Sequence, residues 1–321
     1  MFVAKWFLQC LQKSDDIGRN ARLEEAFLID QKVYSLIKVA EKGSYTRAAN
    51  SLGLTQPAVS QHIRMLEDEL QVRLFEHSHN QIHLTAEGEV AVDYAKRLVS
   101  LEENMYRAVK NEKQKITSLT VGISHTMECS KVVGALASFA DRDAGMMIKI
   151  ITESTVSLYR KLRNLELDFA VVAGRSADAG LQYIQMDTDS LVLAVAPDHP
   201  LAQKGTITID ELKKEQLILR LPTSNTMRLF TANLVSQNLS LEDFNVILEL
   251  DNIATIKDLI RRNFGVSILA KSACLDELKK HKLEVLSIEN LSMNREINLV
   301  CRSDYEHPEL PEKIVQIYKN I

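Results

Sequence analysis

The residues from 56 to 64 carry side chains that could hydrogen-bond to a nucleic acid. Polar side chains and one proline recur there at spacings of three and four residues: Gln56, Pro57, Ser60, Gln61 and Arg64. On an α-helix these spacings place side chains on one face. Arginine and glutamine can each form paired hydrogen bonds with a base edge in the major groove of DNA. The segment therefore predicts a surface that reads nucleobases or holds phosphates.

The opposite face of this predicted helix is apolar. Large aliphatic side chains recur on it at the same spacing: Val59, Ile63, Leu66 and Leu70. Such a stripe predicts the face that packs against the rest of a domain. We expect the helix to begin at Thr55 or Gln56, because a proline at position 57 is tolerated in a first helical turn.

A second, shorter helix is predicted just before it. Ala48, Ala49 and Leu52 lie at helical spacing, and Gly53 can take the positive φ that a sharp turn between helices needs. Two helices joined in this way form a helix-turn-helix, which also occurs as an ordinary hairpin in the core of enzymes. The coincidence of the turn, the proline and the polar face favours the DNA-binding motif.

Charge supports this interpretation locally but not globally. The whole chain has 39 Lys+Arg against 43 Asp+Glu, which argues against a general polyanion binder. Between Lys42 and Leu66, however, the bases are Lys42, Arg47 and Arg64, and there is no acidic residue. A surface that faces phosphates needs to lack negative charge only where it touches them.

The segment from Gly43 to Glu76, with Leu84–Gly88 after it, closely resembles the winged helix-turn-helix of the LysR-type transcriptional regulators. The matching pieces are Ala40–Glu41, Gly43–Ala49, Thr55–Ser60, Leu66–Glu67 and Val72–Glu76. The likeness is weaker after this segment but consistent in layout, so it extends from about Leu28 to the C-terminus. It implies that residues 55–70 form the recognition helix, and that Thr46, Arg47, Arg73 and His77 help to hold the DNA backbone.

The resemblance also implies an α/β multi-domain architecture. A winged helix-turn-helix and a long linker helix would precede a two-lobed effector domain that resembles periplasmic binding proteins. The expected ranges are an extension at 1–27, the DNA-binding domain at 28–85, the linker helix at 86–113, lobe I at 118–190 and 294–321, and lobe II at 191–293.

The first 27 residues fit none of these domains. Their apolar start is interrupted by Lys5 and Gln9 and is followed by no small-residue cleavage site, so a signal peptide is not expected. We expect a poorly ordered extension; an amphipathic patch that docks on the dimer is the alternative. No run of the chain approaches the length of a membrane span, and we expect a cytoplasmic protein.

A wing is predicted after the recognition helix. Arg73–Phe75 and Gln81–Leu84 look like two short strands around a polar turn at His77–Asn80. In the family this wing usually carries arginines, whereas here His77 and Asn80 stand in the turn. If the histidines of this turn contribute, contact with DNA would be mildly pH-sensitive; the alternative is that His77 and Asn80 are solvated turn residues.

A long helix is predicted to start at Thr85 and to run to about Lys113 without proline or further glycine after Gly88. Small and aliphatic or aromatic residues alternate along it by three and four: Ala91, Tyr94, Leu98, Leu101, Met105 and Ala108. This heptad seam favours pairing with the same helix of a second subunit. The resemblance implies the same, since this is the helix that dimerises the DNA-binding domains.

From residue 117 onward, buried strands alternate with helices, which predicts parallel α/β architecture. Leu191–Val195 looks like the passage into a second lobe, and Ile297–Cys301 like the return to the first. Two lobes joined by crossing strands place a small ligand in the cleft between them.

Hydroxyl and amide side chains follow three predicted strands or open helices: Ser124, His125, Thr126, Ser154, Thr155, Ser224, Asn225 and Thr226. Strand ends are where open α/β sheets bind ligands, and helix starts suit a carboxylate or other anion. By resemblance, Ser124, Thr155 and residues 224–226 match positions that contact effectors. Each could equally be a helix N-cap; the convergence of three segments favours a binding cleft.

Catalysis is not expected. Ser124, His125 and Cys129 are close in sequence, but no signature supplies the third group that orients such a pair. The chain lacks a phosphate-binding glycine loop and an HExxH motif. The four cysteines are scattered without metal spacing. We therefore expect no catalytic residue, no metal and no cofactor other than a small-molecule effector.

Together these features predict a homo-oligomer, a tetramer built from dimers, that binds double-stranded DNA at a dyad-symmetric site. A small metabolite would control it, with RNA polymerase as a further partner and no role for a membrane. The alternative from another class is a ligand-binding or transport accessory protein whose N-terminal helices serve only assembly.

Overall fold

The computed structural model describes residues 28–78, 81–114, 117–128, 130–142, 146–176 and 178–321. The predicted extension lies outside these residues. The chain divides into two compact units, one ending at Gly88 and the other beginning at Glu89.

Three helices form the first unit: α1 (Gln31–Lys42), α2 (Tyr45–Leu52) and α3 (Gln56–Leu70). Side chains that accept a hydrogen bond from the first turn precede each of them: Asp30, Ser44 and Thr55. Gly43 and Gly53 end α1 and α2 in the left-handed conformation, with φ of 58° and 66°. The glycine-dependent turn predicted between α2 and α3 is therefore present.

The apolar stripe of α3 is shorter than predicted. Val59 and Ile63 are fully buried and Leu66 is half-buried, but Leu70 is 51% exposed. The inclusion of Leu70 in the packed face was wrong for the described unit. At the last turn of α3 the contact with α1 is polar, between Lys32 and Glu69, and Leu70 is not part of a buried cluster of the described residues.

The wing is a hairpin of β1 (Phe75–Ser78) and β2 (Gln81–Leu84), paired antiparallel from Phe75↔Leu84 to Ser78↔Gln81. The predicted first strand at 73–75 and the turn at 77–80 were therefore placed two or three residues early. The cause is that Leu74 is tied to α3, since its N–H donates to the Glu67 carboxylate at 2.8 Å. The turn residues 79–80 lie outside the described residues.

The linker helix α4 spans Ala86–Gln114. Its start is held by Thr85, whose hydroxyl donates to the Arg73 carbonyl at 2.6 Å and accepts from Gly88 N at 2.9 Å. Gly88 is buried against Leu74, the residue before β1, and a Cβ at Gly88 would lie 2.1 Å from the Leu74 carbonyl oxygen. This position requires glycine for space.

We predict that Gly88→Ala destabilises the DNA-binding unit by about 1–3 kcal/mol, because a packed backbone must move to admit a methyl group. Thermal and urea unfolding would measure the loss. The matched control is Gly134→Ala, also inside a helix, where nothing lies within 4 Å of the added Cβ. Removing a helical glycine there should be neutral or stabilising by roughly 0.5–1 kcal/mol. Equal unfolding midpoints for the two variants would contradict the prediction.

Lobe I contains β3 (Thr117–Ser124), α5 (Ser130–Arg142), β4 (Met146–Glu153), α6 (Thr155–Arg163), β5 (Phe169–Ala173) and α11 (Glu309–Asn320). Strand β3 lies between β4 and β5 and is parallel to both. Its core packs α5 and α11 against the sheet, with Val121, Leu136, Phe169 and Ile314 fully buried. Asn104 of α4 donates to the Leu165 carbonyl of this lobe at 3.1 Å.

Two long strands cross between the lobes: β6 (Leu181–Val195) and β12 (Asn294–Arg302). They pair antiparallel with each other, and β12 pairs antiparallel with β5. The expectation of a parallel sheet was therefore wrong for the crossing strands, because one carries the chain out of lobe I and the other brings it back. The predicted boundary at 190/191 falls inside the continuous strand β6.

Lobe II contains β7 (Thr206–Ile207), α7 (Ile209–Leu212), β8 (Gln216–Arg220), α8 (Asn225–Ser236), β9 (Asn245–Leu250), α9 (Ile253–Arg261), β10 (Ser267–Ala270), α10 (Lys271–Lys279) and β11 (Glu284–Ile288). Strands β8 and β9 are parallel, while β10 and β11 pair antiparallel with β6. The parallel pattern predicted for this lobe holds for β8 and β9. Helix α10 and strand β11 were not predicted.

Within the described residues, no helix has the length and apolar composition that crossing a bilayer requires. No cluster of three or more possible metal-ligating side chains occurs among the same residues.

Candidate DNA-binding surface and ligand cleft

The polar face of α3 is accessible. Gln56, Pro57, Gln61 and Arg64 are exposed and Ser60 is half-buried. These five side chains alone line a shallow groove of about 410 Å³. The Gln56 amide donates to Ser60 Oγ at 2.9 Å, one helical turn away. The structure thus brings together the side chains that the sequence predicted to face DNA.

The other face of α3 fixes the orientation of this groove. Val59 and Ile63 pack in the core, and His62 Nδ1 lies 2.7 Å from the hydroxyl of Ser35, which is fully buried in α1. Near the end of α3 the nearly buried Glu67 accepts from Leu74 N–H at 2.8 Å and from Arg73 Nη1 at 3.0 Å. This carboxylate connects α3 to Arg73 and Leu74, the two residues that precede the wing.

The role of Glu67 was not predicted, because an acidic residue after the basic stretch suggested only the end of the DNA-facing surface. Its partner Arg73 was predicted to hold DNA. Its side chain is largely exposed while one guanidinium nitrogen contacts Glu67, so phosphate contact stays a prediction. Thr46 and Arg47 are exposed in the first turn of α2. The backbone of His77 lies in β1, and its side chain is outside the described part of the chain.

The predicted seam of α4 is exposed in the single chain. Tyr94, Leu98, Leu101 and Met105 are 61%, 48%, 56% and 45% exposed. Ala91 is half-buried and Ala108 is exposed. Four large apolar side chains at heptad spacing on one accessible stripe are typical of a surface that another helix covers.

The two lobes are joined directly by Asn225, the first residue of α8. Its side-chain amide donates to Thr155 Oγ1 at 3.0 Å and to the Ala173 carbonyl at 3.1 Å, both in lobe I. Ser154 and Ser224 each accept from the first turn of the helix that follows, so both serve as N-caps. Thr226 is fully buried. Thr155 and Asn225, predicted to meet a ligand, here meet each other.

A cavity of about 340 Å³ opens between the lobes. Lobe I contributes His125 and Thr126, and lobe II contributes Asn252, Lys257 and Ser272 from the starts of α9 and α10. Of the predicted effector residues, His125 and Thr126 line this cavity. Ser124 is buried beside them, and its hydroxyl has no hydrogen-bond partner among the described residues. The predicted contacts with an effector stay predictions.

The contribution of α9 and α10 was missed. A helix at 253–262 follows from the sequence, and the signal that could have revealed its part in the cavity is Asn252, which caps it directly after β9. Helix α10 gave no comparable signal.

The described cysteines are not suited to redox chemistry. Cys274 and Cys301 lie in the cores of lobe II and lobe I. Burial raises the pKa of the Cys274 thiol to about 12 and also raises that of Cys301. Since the thiolate is the reactive form, both thiols are inert at neutral pH. Cys129, the third member of the serine–histidine–cysteine set considered above, lies outside the described residues.

Comparison with protein families matches both units. Residues 31–89 match the family described as "Bacterial regulatory helix-turn-helix protein, lysR family", and residues 112–320 match the "LysR substrate binding domain". The second match alone covers more than half of the chain.

Individual relatives agree with this. The chain is 29% identical to a probable RuBisCO transcriptional regulator of Phaeodactylum tricornutum, over 85% of this chain and 91% of that one. The crystal structure of CbnR, a LysR family transcriptional regulator, superimposes with a TM-score of 0.64 at 16% identity, over 90% and 98% of the two chains. Full-length CbnR in complex with its target DNA gives a TM-score of 0.51 at 17% identity, with the same coverage. At these identities the structures establish the fold.

The groove-lining face of α3, the exposed seam of α4 and the two-lobed domain thus occur in one chain whose two units both match the same family. Members of this family regulate transcription. The chain belongs to the LysR family of DNA-binding transcriptional regulators.

Proposed function

We propose that this protein binds a dyad-symmetric promoter site as a homo-oligomer, through α3, and responds to a small molecule held between its two lobes. The observation that carries the proposal is the accessible groove on α3, formed by Gln56, Pro57, Ser60, Gln61 and Arg64. A helix anchored by one buried stripe, with base-reading side chains on the other, is the arrangement that enters a major groove.

The oligomer follows from α4. Pairing of its exposed stripe with the same stripe of a second copy forms a dimer, which presents two copies of α3. Two recognition helices related by a dyad bind half-sites about one helical turn apart. A tetramer of two such dimers would bind two dyads along the promoter.

Control by a metabolite requires that it bind one arrangement of the lobes better than another. A coupling of about 1–3 kcal/mol between ligand and DNA binding is sufficient. The inter-lobe cavity supports a site for such coupling, and the Asn225 contact is the junction between the lobes that a ligand would strengthen or break. The protein would act where the promoter is, in the cytoplasm, with RNA polymerase as the machinery it influences.

The alternative of a ligand-binding or transport accessory protein predicts that the polar face of α3 has no nucleic-acid partner. The two hypotheses differ in their dependence on salt. Binding to DNA releases counterions, so log K falls with log salt at a slope of about −0.9 for each phosphate contacted.

We predict steep salt dependence when full-length protein is titrated with the duplex from immediately upstream of its own gene. Fluorescence anisotropy at several salt concentrations measures the slope. With two wings and two recognition helices contacting the backbone, we expect a slope of roughly −5 or steeper. Binding that is absent at low salt, or that does not change with salt, would contradict the proposed function.

A further inference from the structure

Two buried arginines lie where the crossing strands meet lobe II. Arg220 ends β8 and is 2% exposed, and Arg295 lies near the start of β12 and is 9% exposed. Arg220 Nη2 donates to Asp251 at 2.7 Å, and Arg295 Nη2 donates to Asp189 at 3.1 Å. The Nε and Nη1 atoms of both guanidiniums have no hydrogen-bond acceptor among the described residues.

Such groups are costly to bury. A buried donor without a partner has lost its hydrogen bonds to water without replacing them, and the loss is greater when the group is charged. Burial lowers the pKa of Arg295, Asp189 opposes that effect, and the positive charge of Arg220 lowers the pKa further. The charge of Arg220 thus adds to the electrostatic cost of keeping Arg295 charged.

The nearby carboxylates leave part of the hydrogen-bonding capacity of the two guanidiniums unsatisfied. Asp189 is shared, because it also accepts from Ser272 N and Ser272 Oγ, each at 3.0 Å. Asp251 pairs with only one terminal nitrogen of Arg220, and the side chain of Asp251 is 55% exposed. The unused donor positions of the arginines suit a further oxyanion, since a guanidinium binds carboxylate or phosphate through two parallel hydrogen bonds.

These partners connect the arginines to the inter-lobe cavity. Asp251 and Ser272 both line it. Arg220 bonds directly to the lining residue Asp251, whereas Arg295 is connected to the lining residue Ser272 through Asp189. Because Asp251 is largely solvated, it is the partner that can yield its place to an entering anion.

In contrast to the positive charge of the arginines, the charged side chains that line the rest of the cavity are mainly acidic. Glu128 and Asp276 also line it. Its one lysine, Lys257, is held by Glu277 at 2.8 Å and by the Ala273 carbonyl at 2.9 Å. A second anionic group on a ligand would face these acids, whereas hydroxyl or ammonium groups could donate to them.

We propose that the cavity binds an oxyanion, carboxylate or phosphate, on Arg220 in the place that Asp251 now occupies, and that the rest of the ligand presents hydroxyl or ammonium donors to Glu128 and Asp276. This rests on the proposed function, because it defines the class of effector that the cleft accepts. A doubly anionic molecule without donors is excluded from that class.

The first test uses inorganic phosphate as the probe. Thermal unfolding of the full-length protein is followed as phosphate replaces chloride at constant ionic strength. The wild type should show a saturable rise in midpoint, and Arg220→Met should weaken apparent phosphate binding about tenfold or more. Arg261→Met is the matched control, an arginine of the same lobe paired with Asp258 on the surface, and it should keep the response. A wild type without a phosphate-specific rise, or Arg220→Met with an unchanged one, would overturn the proposal.

The same experiment separates a ligand-binding arginine from a purely structural one. In chloride, Arg220→Met should unfold at the same or a higher midpoint, because it removes an underpaired buried charge and leaves Asp251 in water. A midpoint well below that of Arg261→Met, together with loss of the phosphate response, would assign Arg220 to the structure alone and overturn its ligand role.

A second set of probes defines the class. Stabilisation by glycerol 3-phosphate above that by lactate would identify phosphate as the oxyanion, and the reverse order would identify carboxylate. Succinate should bind the wild type more weakly than whichever of glycerol 3-phosphate and lactate binds more tightly. In Glu128→Gln this difference in affinity should be smaller, because one of the facing carboxylates is removed. Tightest binding of succinate to the wild type would overturn the part of the proposal that concerns the donors.

The test of the anion site and the test of DNA binding can fail separately. Arg220→Met should bind the promoter duplex as the wild type does when no anion is added. If the wild type binds DNA and phosphate has no effect, the anion site fails while the regulator assignment stands. If the wild type shows no DNA binding, the proposed function fails whatever phosphate does.

Discussion

Arg64→Ala is expected to abolish tight promoter binding while leaving the fold intact. Arg64 is exposed in the groove of α3, and the helix is anchored by Val59 and Ile63 on its other side. A bidentate arginine–base contact contributes about 1–3 kcal/mol. A dimer on a dyad loses two such contacts, about 2–6 kcal/mol, which corresponds to roughly 30-fold to 10⁴-fold in affinity. Gel shift or anisotropy at one fixed salt concentration would measure it.

The form of the loss identifies the contact. If Arg64 reads a base, discrimination between the promoter and unrelated DNA should fall, with little change in the salt dependence. A phosphate contact would instead weaken all sequences alike and reduce the slope by about 1 per site. Arg261→Ala removes an exposed arginine from lobe II and should leave binding unchanged. Full promoter affinity in Arg64→Ala would rule out the docking of α3 proposed above.

Leu98→Glu combined with Leu101→Glu is expected to separate the dimer. Both leucines lie on the exposed stripe of α4. Covering the exposed half of a leucine is worth roughly 1 kcal/mol, so four leucines in a dimer contribute about 4 kcal/mol. The substitutions also place four carboxylates at one seam. We expect the dimer to weaken roughly a thousandfold or more, as measured by sedimentation velocity or light scattering.

Loss of the dimer should also reduce promoter affinity, because a single α3 reaches only one half-site. The control places the same charges elsewhere, as Val156→Glu with Leu275→Glu, two exposed apolar residues in α6 and α10. Circular dichroism establishes that both doubly substituted proteins are folded. A dimer that persists at low micromolar concentration in the Leu98/Leu101 variant would show that another surface holds the subunits together.

The DNA-binding unit could be predicted in detail because its signals are local. Helical spacing separated Val59 and Ile63 from Gln61 and Arg64, and Gly53 marked the turn. The errors arose where contacts with other elements decide whether a side chain is buried or where a strand begins. Leu70 has the right spacing but no core opposite it, and the wing begins late because Glu67 holds Leu74 from the neighbouring helix.

The cleft was predicted only in outline. Strand ends gave Ser124, Thr155 and Asn225 as candidates, but sequence cannot show that the last two bond to each other across the lobes. The cavity instead draws on α9 and α10. Arg220 and Arg295 are 75 positions apart and look like ordinary residues of two strands, so their proximity exists only in the folded chain.

The two hydrogen bonds that Asn225 donates across the lobes favour one arrangement of the lobes when no ligand is bound. Protein atoms alone hold one arrangement of the lobes, through Thr155 and Ala173. A metabolite that favours this arrangement adds to a bias already present, while one that favours another must first overcome it. Under the proposed function, we therefore expect basal expression from the promoter, and the metabolite concentration at which it changes, to depend in part on this amide group.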